Sequence, residues 1–246
     1  MKSLPEWRIL DRHGIVFTNM QAVIMAAGEG KRMRPLTLVR PKPLIEVSGQ
    51  PILEHILDAL PPPIDEVIIV IGYKGDMIQE HLGDSYKGKK IRYVHQWMPA
   101  GTAHALSVAR PLLSGKFLMM NADDIHGEEA LQEAVSHPLA ILVAEHPRPE
   151  TMGVVSLNED GTLASIVEKP ENPIGNLVNT GAMVLDERLF SYEAPRHATG
   201  EYFMVDPMSS LAKEHPVKVI SQPLWIPVGY PEDIARAEER LRELGR

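Results

Sequence analysis

The sequence has no cysteine. That excludes disulfides, thiol nucleophiles and cysteine-based zinc sites, and it suits a cytoplasmic protein. No apolar run approaches the roughly 20 residues of a membrane span. The N-terminus lacks the apolar core of a secretory signal, so no membrane partner is expected. A basic excess is also missing. The formal net charge of −8 argues against a general nucleic-acid binder, which shows a basic stripe. The ten histidines have no ligand spacing. His126-Gly127-Glu128 would suit a deaminase zinc motif only beside a cysteine pair, which is absent. No Ser-His-Asp or Cys-His constellation is present, and no internal repeat or low-complexity tract. The twelve methionines read as core filler. At 246 residues the chain can bury about 70–75% of its unfolded surface and needs no staples.

Against this acidic background, positive charge is concentrated in one place. Residues 22–27 form a short apolar run that reads as a buried strand, and the run stops at Gly28. Gly30 follows, and then Lys31, Arg32, Arg34, Arg40 and Lys42 occur with no acid among them. Glycines let backbone N–H groups converge on an anion. Arginine and lysine add charge-assisted hydrogen bonds to phosphate oxygens. The stretch reads as a polyphosphate cradle. It is not a dinucleotide fingerprint, because Met33 stands where the third glycine belongs. It is not a P-loop either, because one residue separates the glycines and no Lys-Ser/Thr follows.

The rest of the chain alternates between two periodicities. Helices are expected at 51–60, 77–82, 102–113, 128–135 and 231–244. Strands are expected at 67–71, 91–95, 116–120 and 139–144. This alternation implies right-handed crossovers and an α/β fold, a three-layer Rossmann-like arrangement around a mostly parallel sheet. Ligands in such sheets bind beyond the carboxyl ends of the strands, where Gly28, Gln96 and Asp123 all fall. From Gly153 the pattern becomes β-rich. A hairpin is expected over 154–157 and 163–168, with a further strand at 177–185. Residues 20–246 read as one domain. Residues 1–19 read as an extension, an edge strand or an arm onto a partner, leaving room for a homo-oligomer.

Ala27-Gly28-Glu29-Gly30-Lys31-Arg32-Met33-Arg34-Pro35-Leu36-Thr37, followed by Lys42-Pro43-Leu44, closely resembles the signature of the sugar nucleotidyltransferases. The resemblance runs from about residue 20 to the C-terminus. It implies transfer of a nucleoside monophosphate from an NTP to a sugar 1-phosphate, with Mg²⁺ and release of pyrophosphate. By resemblance, Arg32 and the loop of Ala27, Gly28 and Gly30 hold the β- and γ-phosphates, and Lys42 the α-phosphate region. Gln96 with Gly101 and Thr102 resembles the nucleobase site. A glutamine amide offers a donor beside an acceptor, which matches N3–H and O4 of uracil or thymine, so UTP or dTTP is expected. Asn121-Ala122-Asp123-Asp124 resembles the metal motif, with Asp123 the ligand. Successive side chains on a strand point to opposite faces, so Asp124 need not help. Glu168-Lys169-Pro170 resembles the element whose lysine holds the sugar phosphate and whose glutamate holds sugar hydroxyls. Gly153, Asn179 and Gly181 match neighbouring sugar-site positions.

One departure matters. Residues 224–233 resemble the closing element of the family, where an aspartate supplies a second Mg²⁺ ligand. Here that position is Pro227, which has no side-chain donor atom. Tyr230 also replaces a threonine, so a hydroxyl N-cap is lost before the last helix. Two other readings stand beside the sugar transferase. One is a transferase of the same fold with a non-sugar phosphate acceptor. The other is a noncatalytic regulator that binds a nucleotide sugar.

Overall fold

The computed structural model describes residues 9–10, 16–17 and 20–245. Most of the 1–19 extension therefore lies outside the described residues. Within it, β1 (Ile9–Leu10) and β2 (Val16–Phe17) pair antiparallel with each other as a separate two-stranded ribbon.

Proceeding along the chain, β3 is Met20–Ala26, and the small pair β4 (Glu46–Val47) and β5 (Gln50–Pro51) leads into α1 (Ile52–Asp58). Next come β6 (Ile64–Ile71), α2 (Gly75–Leu82), β7 (Ser85–Tyr86) and β8 (Lys89–His95). Then follow α3 (Thr102–Ala109), β9 (Phe117–Asn121), β10 (Asp124–His126), α4 (Glu128–Ser136) and β11 (Ala140–Glu145). The second half contributes β12 (Gly153–Leu157), β13 (Leu163–Glu168), β14 (Leu177–Leu185) and α5 (Val205–Glu214). The chain ends with β15 (Lys218–Ser221), β16 (Trp225–Pro227) and α6 (Pro231–Glu243).

Ten strands make one twisted sheet in the order β13-β12-β14-β9-β3-β6-β8-β7, with β11 branching from β14 and β15 pairing with β11. β9, β3, β6 and β8 run parallel, as the alternation of strands and helices requires. β14 reverses direction against β9, so the β-rich half continues the same sheet. Strand alternation separates two cores. Ala22, Ile24 and Ala26 face α1, α2, α4 and α6. Val23, Ile68 and Val70 face α3 and α5. This is the three-layer α/β arrangement.

Two expected elements end differently. The helix expected over 102–113 is α-helical only to Ala109. A 3₁₀ turn takes over at Arg110–Leu112, because Pro111 cannot continue the ladder. The N-terminus of α6 adds a contact to the expected loss of a hydroxyl cap: Tyr230 makes no side-chain cap bond, and Asp233 reaches back from the first turn. Asp233 Oδ2 accepts from the backbone N–H groups of Tyr230 at 2.7 Å and Gly229 at 2.8 Å, which satisfies two orphan donors.

Candidate active site

The carboxyl ends of β3, β6, β8 and β9 open on a cavity of about 1010 Å³. Its floor is the loop after β3. Gly28 has nothing within 4 Å of a hypothetical Cβ, so its backbone is open to a ligand. Gly30 sits at φ 62°, where a side chain is strained. A Cβ there would come 3.1 Å from both Lys42 Cβ and Thr37 Cγ2. Thr37 Oγ1 donates to the Gly30 carbonyl at 3.0 Å. These contacts fold the basic loop back on itself and bring Lys42 beneath the glycines.

The five cations do not share one role. Arg34 and Lys31 both pair with Glu29, and Arg40 pairs with Glu46. Lys42 is buried, with Nζ 3.0 Å from Asp123 Oδ2. Arg32 has no carboxylate partner among the described residues. Its guanidinium lies 5.2 Å from the centre of the Tyr230 ring, a cation–π contact that leaves its N–H fork available. Tyr230 thus supports the arginine.

Asp123 and Asp124 diverge because Asp123 stands in the bend between β9 and β10, outside any strand, and Asp124 opens β10. Asp123 lies deep in the molecule yet opens on the cavity, its side chain 38% accessible. Burial works to raise its carboxyl, but Lys42, Arg32 and His126 more than offset that and hold it below the usual carboxylate range. Asp124 does not line the cavity. Its Oδ2 accepts from Trp225 Nε1 at 2.9 Å and its Oδ1 from Val228 N–H at 3.4 Å. Asp124 is the register partner of Pro227 and so clasps β10 to β16. Burial, then the neighbouring Asp123 charge, push Asp124 up to about 7. His126, fully buried, is driven down to about 4 by that burial and is neutral at pH 7.

On the wall beyond β8, Gln96 is buried and Gly101 takes φ 91°. A Cβ on Gly101 would lie 2.5 Å from the Tyr202 carbonyl oxygen, so only glycine fits. This loop is stitched to the segment 199–205. Tyr202 N–H donates to Ala100 O, Ala103 N–H to Tyr202 O, and Met204 N–H to Thr102 Oγ1, at 2.8, 2.9 and 3.1 Å. The Thr102 hydroxyl therefore serves the loop junction.

The opposite wall comes from the β-rich half. Lys169 directly follows β13 at φ 44°, an uncommon conformation for a residue with a Cβ. Its Nζ reaches Glu168 Oε1 at 3.2 Å and lies over the Phe203 ring at 5.9 Å. Asn179 Oδ1 accepts from Gly181 N–H at 2.9 Å, and Gly181 (φ 79°) leaves room for the Asn121 side chain. The cavity thus joins residues from five separate stretches: Ala27 to Arg32, Lys42, Gln96 to Thr102, Asp123, and Glu168 to Gly181. Gly153 stands behind that lining, where a Cβ would come 3.4 Å from Glu168 Oε2. Thr199, Glu201, Phe203, Met204 and Val205 also line the cavity. Sequence reasoning missed them. The signal was a lone glycine, Gly200, ahead of an aromatic pair, which carries no chemistry by itself.

Among the described residues no group of three or more His, Asp or Glu could hold a metal. Of the two carboxylate positions that the resemblance implies for a metal, only Asp123 carries an acid; Glu29 and Glu168 also line the cavity but are each paired with a cation. Mg²⁺ is often held by one or two carboxylates plus substrate phosphates, so Asp123 fits an ion assembled together with a polyphosphate.

The nucleotidyl transferase family model matches residues 21–243. The chain is 36% identical over 226 residues to the bifunctional protein GlmU of Methanocaldococcus jannaschii, covering 90% of this chain and 54% of that one. It is 35% identical over 237 residues to the UTP–glucose-1-phosphate uridylyltransferase AglF of Haloferax volcanii, covering 91% and 97%. A crystal structure from Bacillus anthracis, described as a glucose-1-phosphate thymidylyltransferase with sucrose bound, superposes with a TM-score of 0.82 at 24% identity, covering 91% of this chain and 96% of that one. That likeness concerns the fold. The chain spans about half the length of several curated relatives it matches.

Proposed function

Because the chain belongs to the nucleotidyl transferase family, we propose that it transfers a nucleoside monophosphate from UTP or dTTP to a sugar 1-phosphate and releases pyrophosphate. One observation carries this reading. A single cavity is lined by the phosphate-type loop, the Gln96 loop and the Glu168–Lys169 pair, with Asp123 and Lys42 between them.

The acceptor phosphate has a second pKa near ~6, so its oxygen is already a nucleophile at pH 7 and no general base is needed. That oxygen attacks the α-phosphorus in line. The bond from phosphorus to the bridging oxygen breaks, and pyrophosphate leaves with the electron pair. Catalysis is then positioning and charge neutralisation. Arg32 and the amides of the glycine loop suit the leaving pyrophosphate. Lys42 suits the α-phosphate, and its existing pair with Asp123 keeps both side chains in place. Lys169 suits the sugar phosphate, and Glu168 and Asn179 the sugar hydroxyls. Mg²⁺, held by Asp123 and phosphate oxygens, would neutralise phosphate charge.

Pro227 favours a second reading, a regulator that binds a nucleotide sugar without turnover, since it leaves Asp123 as the one metal-motif carboxylate where the resemblance implies two. A matrix of NTPs against sugar 1-phosphates, read as pyrophosphate release, separates the two. Transfer predicts release only when NTP, Mg²⁺ and sugar 1-phosphate are all present. No release from any pair at high Mg²⁺, with a nucleotide sugar bound by calorimetry, supports the regulator.

A further inference from the structure

Gln96 follows β8, lines the cavity and is 8% accessible. Its Nε2 donates to the Gly101 carbonyl at 3.0 Å and lies 2.9 Å from His104 Nδ1. A carbonyl oxygen can only accept, so the amide nitrogen, not the amide oxygen, must face Gly101. The orientation then propagates. The second Nε2 proton is directed at His104 Nδ1, which must be the unprotonated ring nitrogen, with the ring proton on Nε2. Both amide protons are engaged inside the protein. Among the described residues nothing donates to Oε1. The edge that Gln96 presents to the cavity is an acceptor alone, not the donor–acceptor pair expected of a free glutamine.

We propose that His104 is a specificity-determining positioning residue that locks the Gln96 amide, so that the nucleobase pocket demands a hydrogen-bond donor. This rests on the nucleotide-binding reading above. Uracil and thymine offer N3–H to Gln96 Oε1. Cytosine has an acceptor at that ring position, so two lone pairs would face each other. Turning the amide over to suit cytosine would set Oε1 against the Gly101 carbonyl, breaking that hydrogen bond, and would oblige His104 to shift its ring proton from Nε2 to Nδ1. Without the His104 acceptor only one bond resists that rotation, and the discrimination weakens. The residue that touches the base is Gln96, and His104 acts through it.

The test is calorimetric binding of UTP and CTP, which needs no turnover, on wild type, His104→Leu, His104→Ala and His104→Asn, with pyrophosphate release measured in parallel. Asparagine Oδ1 occupies the place of histidine Nδ1, so His104→Asn keeps the acceptor. Wild type should prefer UTP by roughly tenfold or more. The Leu and Ala variants should each lose about three- to tenfold of that ratio, the value of one hydrogen bond, and Asn should retain it. A merely structural role would weaken both nucleotides alike and leave the ratio unchanged. Acceptorless variants that keep the wild-type ratio would overturn the inference and leave the nucleotide site standing. An Asn variant that loses the ratio as fully as Leu would overturn it in the same way. A wild type that binds no NTP would overturn the underlying reading, and this inference with it.

Discussion

Pro227→Asp places a third carboxylate beside Asp123 and Asp124, and its cost can be worked out from register. Residues 124 and 227 are direct partners across the β10–β16 pair, and such partners hold their Cβ atoms about 5 Å apart. Two unit charges at that distance repel by about 3 kcal/mol at an effective dielectric near 20. Cavity water and proton uptake reduce the figure. Asp124 holds its proton up to about 7, so at pH 6 the new carboxylate meets a neutral neighbour, whereas at pH 8 it meets an ionised one. Added repulsion raises Asp124 further, and a raised carboxyl loses its stabilising contribution as pH rises through its folded value. The comparison is with Pro227→Asn, which shares the shape and the loss of proline's backbone restriction. In urea unfolding with chelator, Pro227→Asp should be about 1–2 kcal/mol less stable than Pro227→Asn at pH 8, and the gap should narrow at pH 6. Mg²⁺ or Mn²⁺ should close it, because binding to the folded state alone stabilises by mass action. Mn²⁺ affinity, read by electron paramagnetic resonance, should rise in the Asp variant alone. Equal stabilities at pH 8 without metal, and equal metal affinities, would refute the placement of residue 227 beside the Asp123–Asp124 pair.

Lys42→Met keeps the length of the side chain and removes the charge 3.0 Å from Asp123; steady-state turnover should fall on the order of 10²–10³, and wild-type turnover would exclude Lys42 from the site. Gly101→Ala forces a Cβ to 2.5 Å from the Tyr202 carbonyl at φ 91°, so thermal or urea denaturation should show a loss of about 2–4 kcal/mol, and KM for NTP should rise. Asp124→Asn removes a carboxyl raised from 3.8 to about 7; wild type should lose stability relative to this variant as pH climbs from about 4 to about 7. The change should be on the order of 4 kcal/mol over a constant offset for the altered Val228 contact. A difference that does not vary with pH in urea titrations would refute it.

The backbone plan was legible because its signals are local and periodic. The run from Val67 to Ile71 could only be a strand covered on both faces, and Ile52, Leu53, Ile56 and Leu57 could only be the buried stripe of a helix; both lie in the core. α5 escaped because Pro207 stands in its first turn and masks the apolar stripe of Met208 and Leu211, although proline is tolerated there. β15 is four residues long, with Lys218 and Ser221 at its ends, too short to show a period. Most of the motif residues singled out in the sequence do line one cavity, but their hydrogen-bond partners were not legible there. Glu29 precedes the basic run by two residues and still takes up two of its cations.

The same distinction applies to Gln96 and to Pro227. A side chain's capacity is written in its chemistry, but its remaining capacity depends on what the fold has already claimed. Gln96 has two donors and one acceptor group, and Gly101 with His104 takes the donors. Asp124 has the carboxylate that Pro227 lacks and stands directly opposite it, so sequence proximity makes it the natural substitute ligand. The Trp225 indole and the Val228 amide hold it instead, away from the cavity. A carboxylate bound this way costs the loss of those contacts and the closure of β16 if it turns to a cation. A metal bound in this cavity would therefore rest on Asp123 and on the phosphates of the substrate itself, and metal affinity should rise steeply when a triphosphate is present.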